Sequence, residues 1–463
     1  MTSLKHICKQ AFIKPNNKHF FLKRNIASTT LNENYSNNYD IIIAGGGIVG
    51  CSLACTLGKN NKLSNKRILL IESSKNTPFT LPEKYSNRVV SLNPGTKKLL
   101  TDIDAWRHIE SARFGIVKRL QVTDALSDAS ICFGEETSSE NVSYIIENNL
   151  LIYAVKKELE RLKNVEVLYE EKIKEYHLPD AAESHVNLHL ENGGQYSCDL
   201  LIGCDGLNSR VREAMGVQYL NWNYNNVGIV ATLKFSEEIN NCIAWQRFLP
   251  TGPLALLPLT SSMSSLVWAT TKEHAQQLLG MSNEQFVDAL NEALWKVYQR
   301  SNIIDRTLKA FDTLLRASNI PADLHRRYPP KIDSIDGRAR FPLGFGHATN
   351  YIGKGVALVG DAAHRIHPLA GQGVNLGFGD ISCLNKVLSD AIYAGSSLGN
   401  VSFLRDYESE RQKYNVGMMA VVEGMYRLYR TDFTPIVLLR SLGLQATDVF
   451  YPIKKMMVNQ ASL

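Results

Sequence analysis

The chain has 463 residues, 44% hydrophobic and 21% charged, the balance of a globular protein with two domains or one large α/β domain carrying an insertion. Its net charge of +6 equals the contribution of Lys5, Lys9, Lys14, Lys18, Lys23 and Arg24, because the first 30 residues hold no acid and the remainder sums to zero. Global charge therefore makes no case for a nucleic-acid-binding protein, the basicity being local, and no nucleic-acid partner is expected.

The basic, hydroxyl-bearing start lacks the apolar core of a secretory signal and reads as a mitochondrial transit peptide over 1–35; a basic arm that stays on the protein is the alternative. Residues 39–44, "YDIIIA", form a β-branched run suited to a strand buried on both faces. "GGGIVG" turns the chain into a helix through about Leu57, and a second apolar run follows at 67–72, giving a β–α–β unit. The uncharged stretch 41–58 is 18 residues long, but five are glycine, so a membrane span is rejected. The eight cysteines are scattered without a CxxC pair, which excludes a disulfide framework and a cysteine zinc site. Cys51 and Cys55 share one helix face, where buried packing is expected.

A helix is predicted over 151–163, then strands at 165–169 and 186–190 and the apolar run 199–206. From about 220 the pattern alternates: Val227, Ile229, Ala231, Leu233 and Phe235 fall on one face. Further runs at 242–249, 254–259 and 264–271 predict a meandering sheet with one covered face, followed by helices at 273–280 and 283–300. A buried strand and glycine-rich turn return at 355–364, and 403–443 is helical. There Val416, Met419, Val422, Tyr426 and Tyr429 form a stripe, read as core packing in preference to a lipid-facing surface. The expected division is 36–218 and 351–400 for a dinucleotide-binding domain, 219–350 for an inserted sheet and 401–463 for C-terminal helices.

Gly45, Gly47 and Gly50 follow a strand and open a helix, the arrangement that lets backbone N–H groups approach a pyrophosphate. Glu72 closes the next strand 22 residues after Gly50, where a carboxylate binds ribose hydroxyls and repels a 2′-phosphate. FAD or NAD fits this pattern and NADP does not. No second GxGxxG occurs, so a chain that holds FAD takes electrons from a transient visitor or another protein.

Residues 359–377, "VGDAAHRIHPLAGQGVNLG", admit three readings. Asp361, His364 and His367 have helical metal-ligand spacing, but Pro368 and the glycines argue against a helix and no second ligand cluster is evident. An Asp–His acid–base pair has no GxSxG nucleophile to serve. The third is a loop in which Asp361 accepts ribityl hydroxyls and the N–H groups of 371–375 face a partly negative ring edge.

The segments "IIIAGGGIVG", "LIGCDGLNSRVR" and "VGDAAHRIHPLAGQGVNLG" resemble the three fingerprints of the single-component FAD-dependent aromatic hydroxylases, over about 40–445. The resemblance implies an α/β fold: a Rossmann-type FAD-binding domain with an inserted, mostly antiparallel β-sheet substrate domain and C-terminal helices. It implies that Gly45, Gly47, Gly50 and Glu72 hold the ADP part of FAD and that Asp205, beside Gly206, lies near FAD and the reductant. Gly360 and Asp361 would hold the ribityl chain, with Gly371, Gln372, Gly373 and Asn375 beside the isoalloxazine. Arg88 stands where the family has an arginine near the flavin, and Cys204 where it often has alanine. His367 and Pro368 would shape the loop beside the ring, with His364 packing behind; no general base is assigned.

Within the family, "HPLAGQGVNLG" and the C-terminal pattern are most similar to the ubiquinone-biosynthesis hydroxylases. This implies hydroxylation, at ring position C5, of a polyprenylated hydroxybenzoate-type ring with O₂ through a flavin C4a-hydroperoxide. It also implies ferredoxin and ferredoxin reductase as electron donors, a ubiquinone-biosynthesis complex, and a peripheral place on the matrix side of the mitochondrial inner membrane. A substrate pocket would lie between flavin and the sheet of about 220–350, with the C-terminal helices leading the prenyl tail to the bilayer. A flavin-dependent dehydrogenase or reductase and a flavin-free prenyl-protein escort are the other classes this scaffold serves.

Overall fold

The computed structural model describes residues 37–180, 185–299, 302–317, 327–367, 371–449 and 454. The expected transit peptide and Pro368 lie outside the described residues. The β-branched run becomes the strand Asn37–Ala44, with Ile41, Ile42 and Ile43 wholly buried. It pairs in parallel with Ile68–Glu72 on one side and with Gln195–Gly203 on the other. Val165–Tyr169 and Val356–Leu358 extend this sheet in parallel, and Ile352–Gly353 closes its edge. A strand buried on both faces needs covers on both. The helix Ile48–Lys59 packs on Asn148–Leu159 and on the long helix Gly373–Tyr393. Cys51 and Cys55 are buried in this layer, as their spacing suggested, and burial pushes both thiols up to about 12.

The second sheet is centred on two long antiparallel strands, Tyr219–Phe235 and Ile332–Ala348. Met263–Thr271, Gly252–Thr260 and Ile243–Leu249 follow on one side. Ile229, Ala231, Leu233 and Phe235 point into a core closed by the helices Lys272–Gly280 and Asn283–Trp295. Three differences from expectation stand out. Val230 and Thr232 are also buried, so the central strand is covered on both faces here. The sheet also takes Arg119–Asp124 and Ser130–Gly134, from upstream of the expected boundary at 219, with Arg119–Asp124 pairing in parallel with Ile243–Leu249. The helix expected to run to 300 ends at Trp295, and a further helix, Asn302–Ala317, follows.

The two sheets meet through the glycine-rich turn after Val356–Leu358. His364 and Arg365 pair with His347 and Gly346, so the turn becomes an edge of the second sheet. The helix Val401–Tyr429 then crosses back, and its stripe lies inward. Met419, Val422, Tyr426 and Tyr429 are buried against Tyr224, Phe248, Ile366 and Leu376. Only Val416 of the stripe is exposed, so core packing is what these residues do and the stripe is not a bilayer-facing surface. The last long helix, Thr434–Val449, is pinned by Arg440, whose guanidinium makes a buried two-pronged ion pair with Asp124 at 2.8 and 3.1 Å. Ser36–Leu463 forms one compact unit.

Candidate cofactor site

The three glycine-bearing segments come together at the carboxyl ends of the parallel strands, where an open α/β sheet binds its ligands. Gly45 has φ +105°, and a Cβ there would lie 2.5 Å from the Cys204 carbonyl oxygen, so only glycine makes this turn. A Cβ on Gly50 would lie 1.9 Å from the Gly45 carbonyl oxygen, so the helix rests directly on the strand end. Gly47 differs: a Cβ there meets nothing within 4 Å. Its lack of a side chain is not demanded by the protein's own packing and leaves clear approach to the first turn of Ile48–Lys59. That turn has no side-chain cap and no acid, so its N–H groups and the positive end of the helix dipole suit an anion.

Glu72 stands beside this turn. Its Oε2 accepts from Gly46 N at 2.5 Å and its Oε1 from Ser74 N at 2.7 Å. Burial raises its carboxyl, but these bonds and Lys156 outweigh it and hold the group ionised below its usual value. Asp205 spends Oδ2 on the backbone N–H of Arg210 and Val211, at 2.7 and 3.1 Å. Its Oδ1 is buried and finds no hydrogen-bond partner among the described residues, an acceptor suited to a ligand hydroxyl.

Val49, inside the first glycine turn, touches both later glycines: a Cβ on Gly360 would lie 3.2 Å from it and one on Gly377 2.9 Å. The first and third motifs are thus in contact. Gly360 has φ +64° and opens a short 3₁₀ turn that presents Asp361. Asp361 is open to solvent yet recessed between protein walls. That crowding pushes its carboxyl up, against the pull of His364 and Arg365. Gly371, at φ +62°, and Gln372 lead into Gly373–Tyr393, whose first turn also carries neither side-chain cap nor acid. Arg88 is exposed just before Val89–Leu92, the strand whose Ser91 carbonyl accepts from Asn375 Nδ2 at 2.9 Å. Asn375 itself turns inward: its Oδ1 accepts from Asn93 N at 3.1 Å and Thr96 Oγ1 at 2.9 Å. Its side chain thus ties the loops together.

His364 does more than the packing expected of it. Asp361, His364 and His367 do not converge on a common point; among the described residues the one metal-capable trio is Glu175, His177 and His189, on a largely exposed hairpin elsewhere. His364 donates from Nε2 to Asp380 Oδ2 at 2.6 Å, both residues being buried. The same carboxylate accepts from Gly360 N at 3.0 Å, Arg411 Nε at 2.8 Å and Asn415 Nδ2 at 3.2 Å. Burial alone would raise Asp380, but His364 and Arg411 hold it well below the carboxylate range. Sequence reading missed Asp380 and Arg411 altogether. It also missed Arg212, whose guanidinium stacks on Tyr219 and bonds the carbonyls of Ala362 and Leu207, joining the second motif to the third.

His367 is wholly buried between the rings of Tyr224 and Tyr426, at 4.9 and 5.0 Å, and burial pulls its imidazole down to about 4, with Glu423 opposing. Tyr224 donates to Glu423, which also accepts from Arg427 Nε at 2.6 Å. Two outcomes follow from these geometries. Gly47→Val should fold with a near-normal thermal midpoint but lose most bound flavin, read as the flavin-to-protein absorbance ratio, whereas Gly50→Val should fail to fold; normal flavin in Gly47→Val would contradict the cradle. An unfolded histidine takes up its proton near pH 6.5, so between about 6.5 and 4 the unfolded chain holds the extra proton and His367 makes folding weaker as pH falls. His367→Gln should remove roughly 3 kcal/mol of that acid destabilisation at its full extent. Thermal midpoints of the two proteins across that window test this.

The comparisons agree with this geometry. The family model described as "FAD binding domain" matches residues 38–309 and 312–421. "Ubiquinone biosynthesis monooxygenase COQ6, mitochondrial" of Xenopus tropicalis is 47% identical over 433 residues, covering 92% of this chain and 93% of that protein. Its namesake in Homo sapiens is 45% identical over 436 residues, covering 92% of each. Among solved structures, p-nitrophenol 4-monooxygenase of Pseudomonas putida DLL-E4 shares the fold with a TM-score of 0.66, at 15% identity over 92% of this chain and 99% of that one. With its glycine cradle, its orphaned Asp205 oxygen and two uncapped helix starts fitting FAD, the chain belongs to the FAD-binding-domain family of flavoprotein monooxygenases, in the branch of the mitochondrial ubiquinone-biosynthesis monooxygenases.

Proposed function

We propose that this FAD-dependent monooxygenase hydroxylates a polyprenylated phenolic ring in ubiquinone biosynthesis. The observation that carries the reading is the convergence on Val49 of the first glycine turn, Gly360 and Gly377, with the third segment continuing as an edge strand of the second sheet. One continuous backbone path thus leads from a dinucleotide cradle to a sheet able to wall a substrate. When bound and reduced, FAD supplies the activation of O₂ from which one oxygen atom reaches the ring.

The chain's own work is binding, orientation and exclusion of water. Gly45, Gly47, Gly50 and the first turn of Ile48–Lys59 hold the pyrophosphate, and Glu72 the ribose. Asp205, through Oδ1, and Asp361 accept hydroxyls, while the backbone of Gly360, Gly371, Gln372 and Gly373 supports the ring end, with Arg88 nearby. The aromatic ring of the substrate lies between that end and the sheet. There Tyr224, Phe341, Phe345, Ile366 and Leu376 belong to one apolar cluster that keeps water from a reactive centre. His367, kept neutral, adds no charge to that wall.

Electrons come from a ferredoxin and its reductase, a route compatible with the lack of a second GxGxxG in the sequence, which fits a visiting nicotinamide equally. The enzyme works within a ubiquinone-biosynthesis assembly, peripherally on the matrix side of the inner membrane. No helix among the described residues is long and apolar enough to cross a bilayer. With ferredoxin, its reductase and NADPH, the purified protein should place one ¹⁸O from ¹⁸O₂ on the ring at C5, and NADPH alone should give little product. Product without label would overturn the monooxygenase assignment; equal turnover with NADPH alone would overturn the electron route.

A further inference from the structure

We infer that the face built around Trp295, Ile303 and Tyr328 is where this enzyme lies on an anionic lipid surface. The inference rests on the peripheral reading above and assigns it a place. The stripe on Val401–Tyr429 is buried and cannot serve. Charge points elsewhere. Beyond the first 30 residues the chain sums to zero, yet in the sequence 295–331 holds eight Lys/Arg and three Asp/Glu, +5 against −5 for the remainder. Exposed apolar groups gather in the same segment: Trp295 is 46% exposed, Val297 75%, Ile303 62% and Tyr328 64%.

These residues share one region. The rings of Trp295 and Tyr328 stack at 5.7 Å and 12°, and with Val297, Arg327 and Asp128 they line a groove of about 180 Å³. Arg247 fixes the turn beneath them by bonding the carbonyls of Leu294 and Lys296. Asp128 belongs to the turn between Arg119–Asp124 and Ser130–Gly134; Leu126 of that turn packs under Ile304 and Leu308 of Asn302–Ala317, together with Val437 and Leu442. That helix therefore spends its apolar side on the protein and turns Ile303, Arg306 and Lys309 to solvent. Lys296, Arg327 and Lys331 are exposed beside it. Four acids face this surface: Glu292 pairs with Lys296 at 2.8 Å and Glu136 with Arg327 at 3.3 Å, and Asp128 and Asp305 stand close by.

Tryptophan and tyrosine place an apolar body and a polar tip at a lipid headgroup boundary, and lysine and arginine stems extend past them to anionic headgroups. Each basic side chain near such a surface contributes about 1 kcal/mol, a factor of about five, so the cations beyond these two ion pairs, Arg306, Lys309 and Lys331, together with four inserted apolar groups, hold a protein of this size reversibly. An acidic protein would pair with the cations but leave Val297 and Ile303 without a reason for exposure, so the lipid surface is the better match.

The test uses the flavin-loaded full chain in flotation with phosphatidylcholine vesicles and with vesicles of phosphatidylcholine and phosphatidylglycerol. The wild type should float with the anionic vesicles, more weakly as salt rises, and not with the neutral ones. A Trp295→Ser/Val297→Ser pair and a Lys309→Glu/Lys331→Glu pair should each weaken partitioning about tenfold or more. Flavin content, thermal midpoint and turnover of a short-tailed, water-soluble substrate should stay unchanged in both. Wild-type protein that floats with neither vesicle overturns the peripheral reading itself. Binding that survives both variants leaves that reading standing and overturns this face. Intact vesicle binding with loss of ferredoxin binding or of self-association in the variants reassigns the face to a protein partner.

Discussion

The site depends on one buried carboxylate. Asp380 lies wholly inside the protein, where an unpaired charge would cost several kcal/mol, and the groups that balance it bring three segments together, its own included. Gly360 and His364 come from the turn after the parallel sheet, Arg411 and Asn415 from Val401–Tyr429, and Asp380 itself from Gly373–Tyr393. Arg411 also bonds the Leu376 carbonyl and Asn415 Oδ1, so few of its donors are left over. The turn that presents Asp361 is therefore tied to the start of the helix that presents Gly371–Gly373. Neither can shift without leaving a charge unpaired.

From this lock the rest of the cofactor cleft takes its spacing. Gly360, fixed by its N–H, places the turn against Val49 of the first glycine segment. Arg212 ties Ala362 back to the Asp205 segment, and Asn375 ties the 371–375 stretch to Ser91, Asn93 and Thr96. His364 both holds Asp380 and pairs with His347, so one residue couples the cleft to the second sheet. A pocket assembled from four distant stretches of chain is in this way held together by polar contacts between its backing residues.

What could be read from the sequence was what local geometry dictates. Gly45, Gly50 and Gly360 announce themselves because their backbone angles or clearances tolerate no other residue, and Val227–Phe235 because a strand alternates. The rest depended on pairings that period does not encode. His364 sits 16 residues from Asp380 and Arg411 another 31 on, and nothing in their spacing reveals that they meet. A helical stripe says which residues share a face, not what the face meets. The stripe reads as core packing, yet nothing in it names the Tyr224–Phe248 cluster that covers Met419 and Val422. Strand order is similarly silent, which is why Arg119–Asp124 and Ser130–Gly134 joined a sheet expected to start at 219. The inward amide of Asn375, bonded to Asn93, Thr96 and Ser91, is another pairing that spacing does not reveal.

The most direct measurement is the FAD dissociation constant of Asp380→Asn beside the wild type, with circular dichroism to follow the sheets. Asparagine keeps the shape but leaves Arg411 without its counter-charge and sets an NH₂ group against one side's hydrogen-bond donors. The lock predicts FAD binding at least about tenfold weaker, with secondary structure retained and partial recovery in Asp380→Glu. Wild-type affinity in a folded Asp380→Asn protein would contradict it, and the cleft would then owe its spacing to the glycine contacts alone.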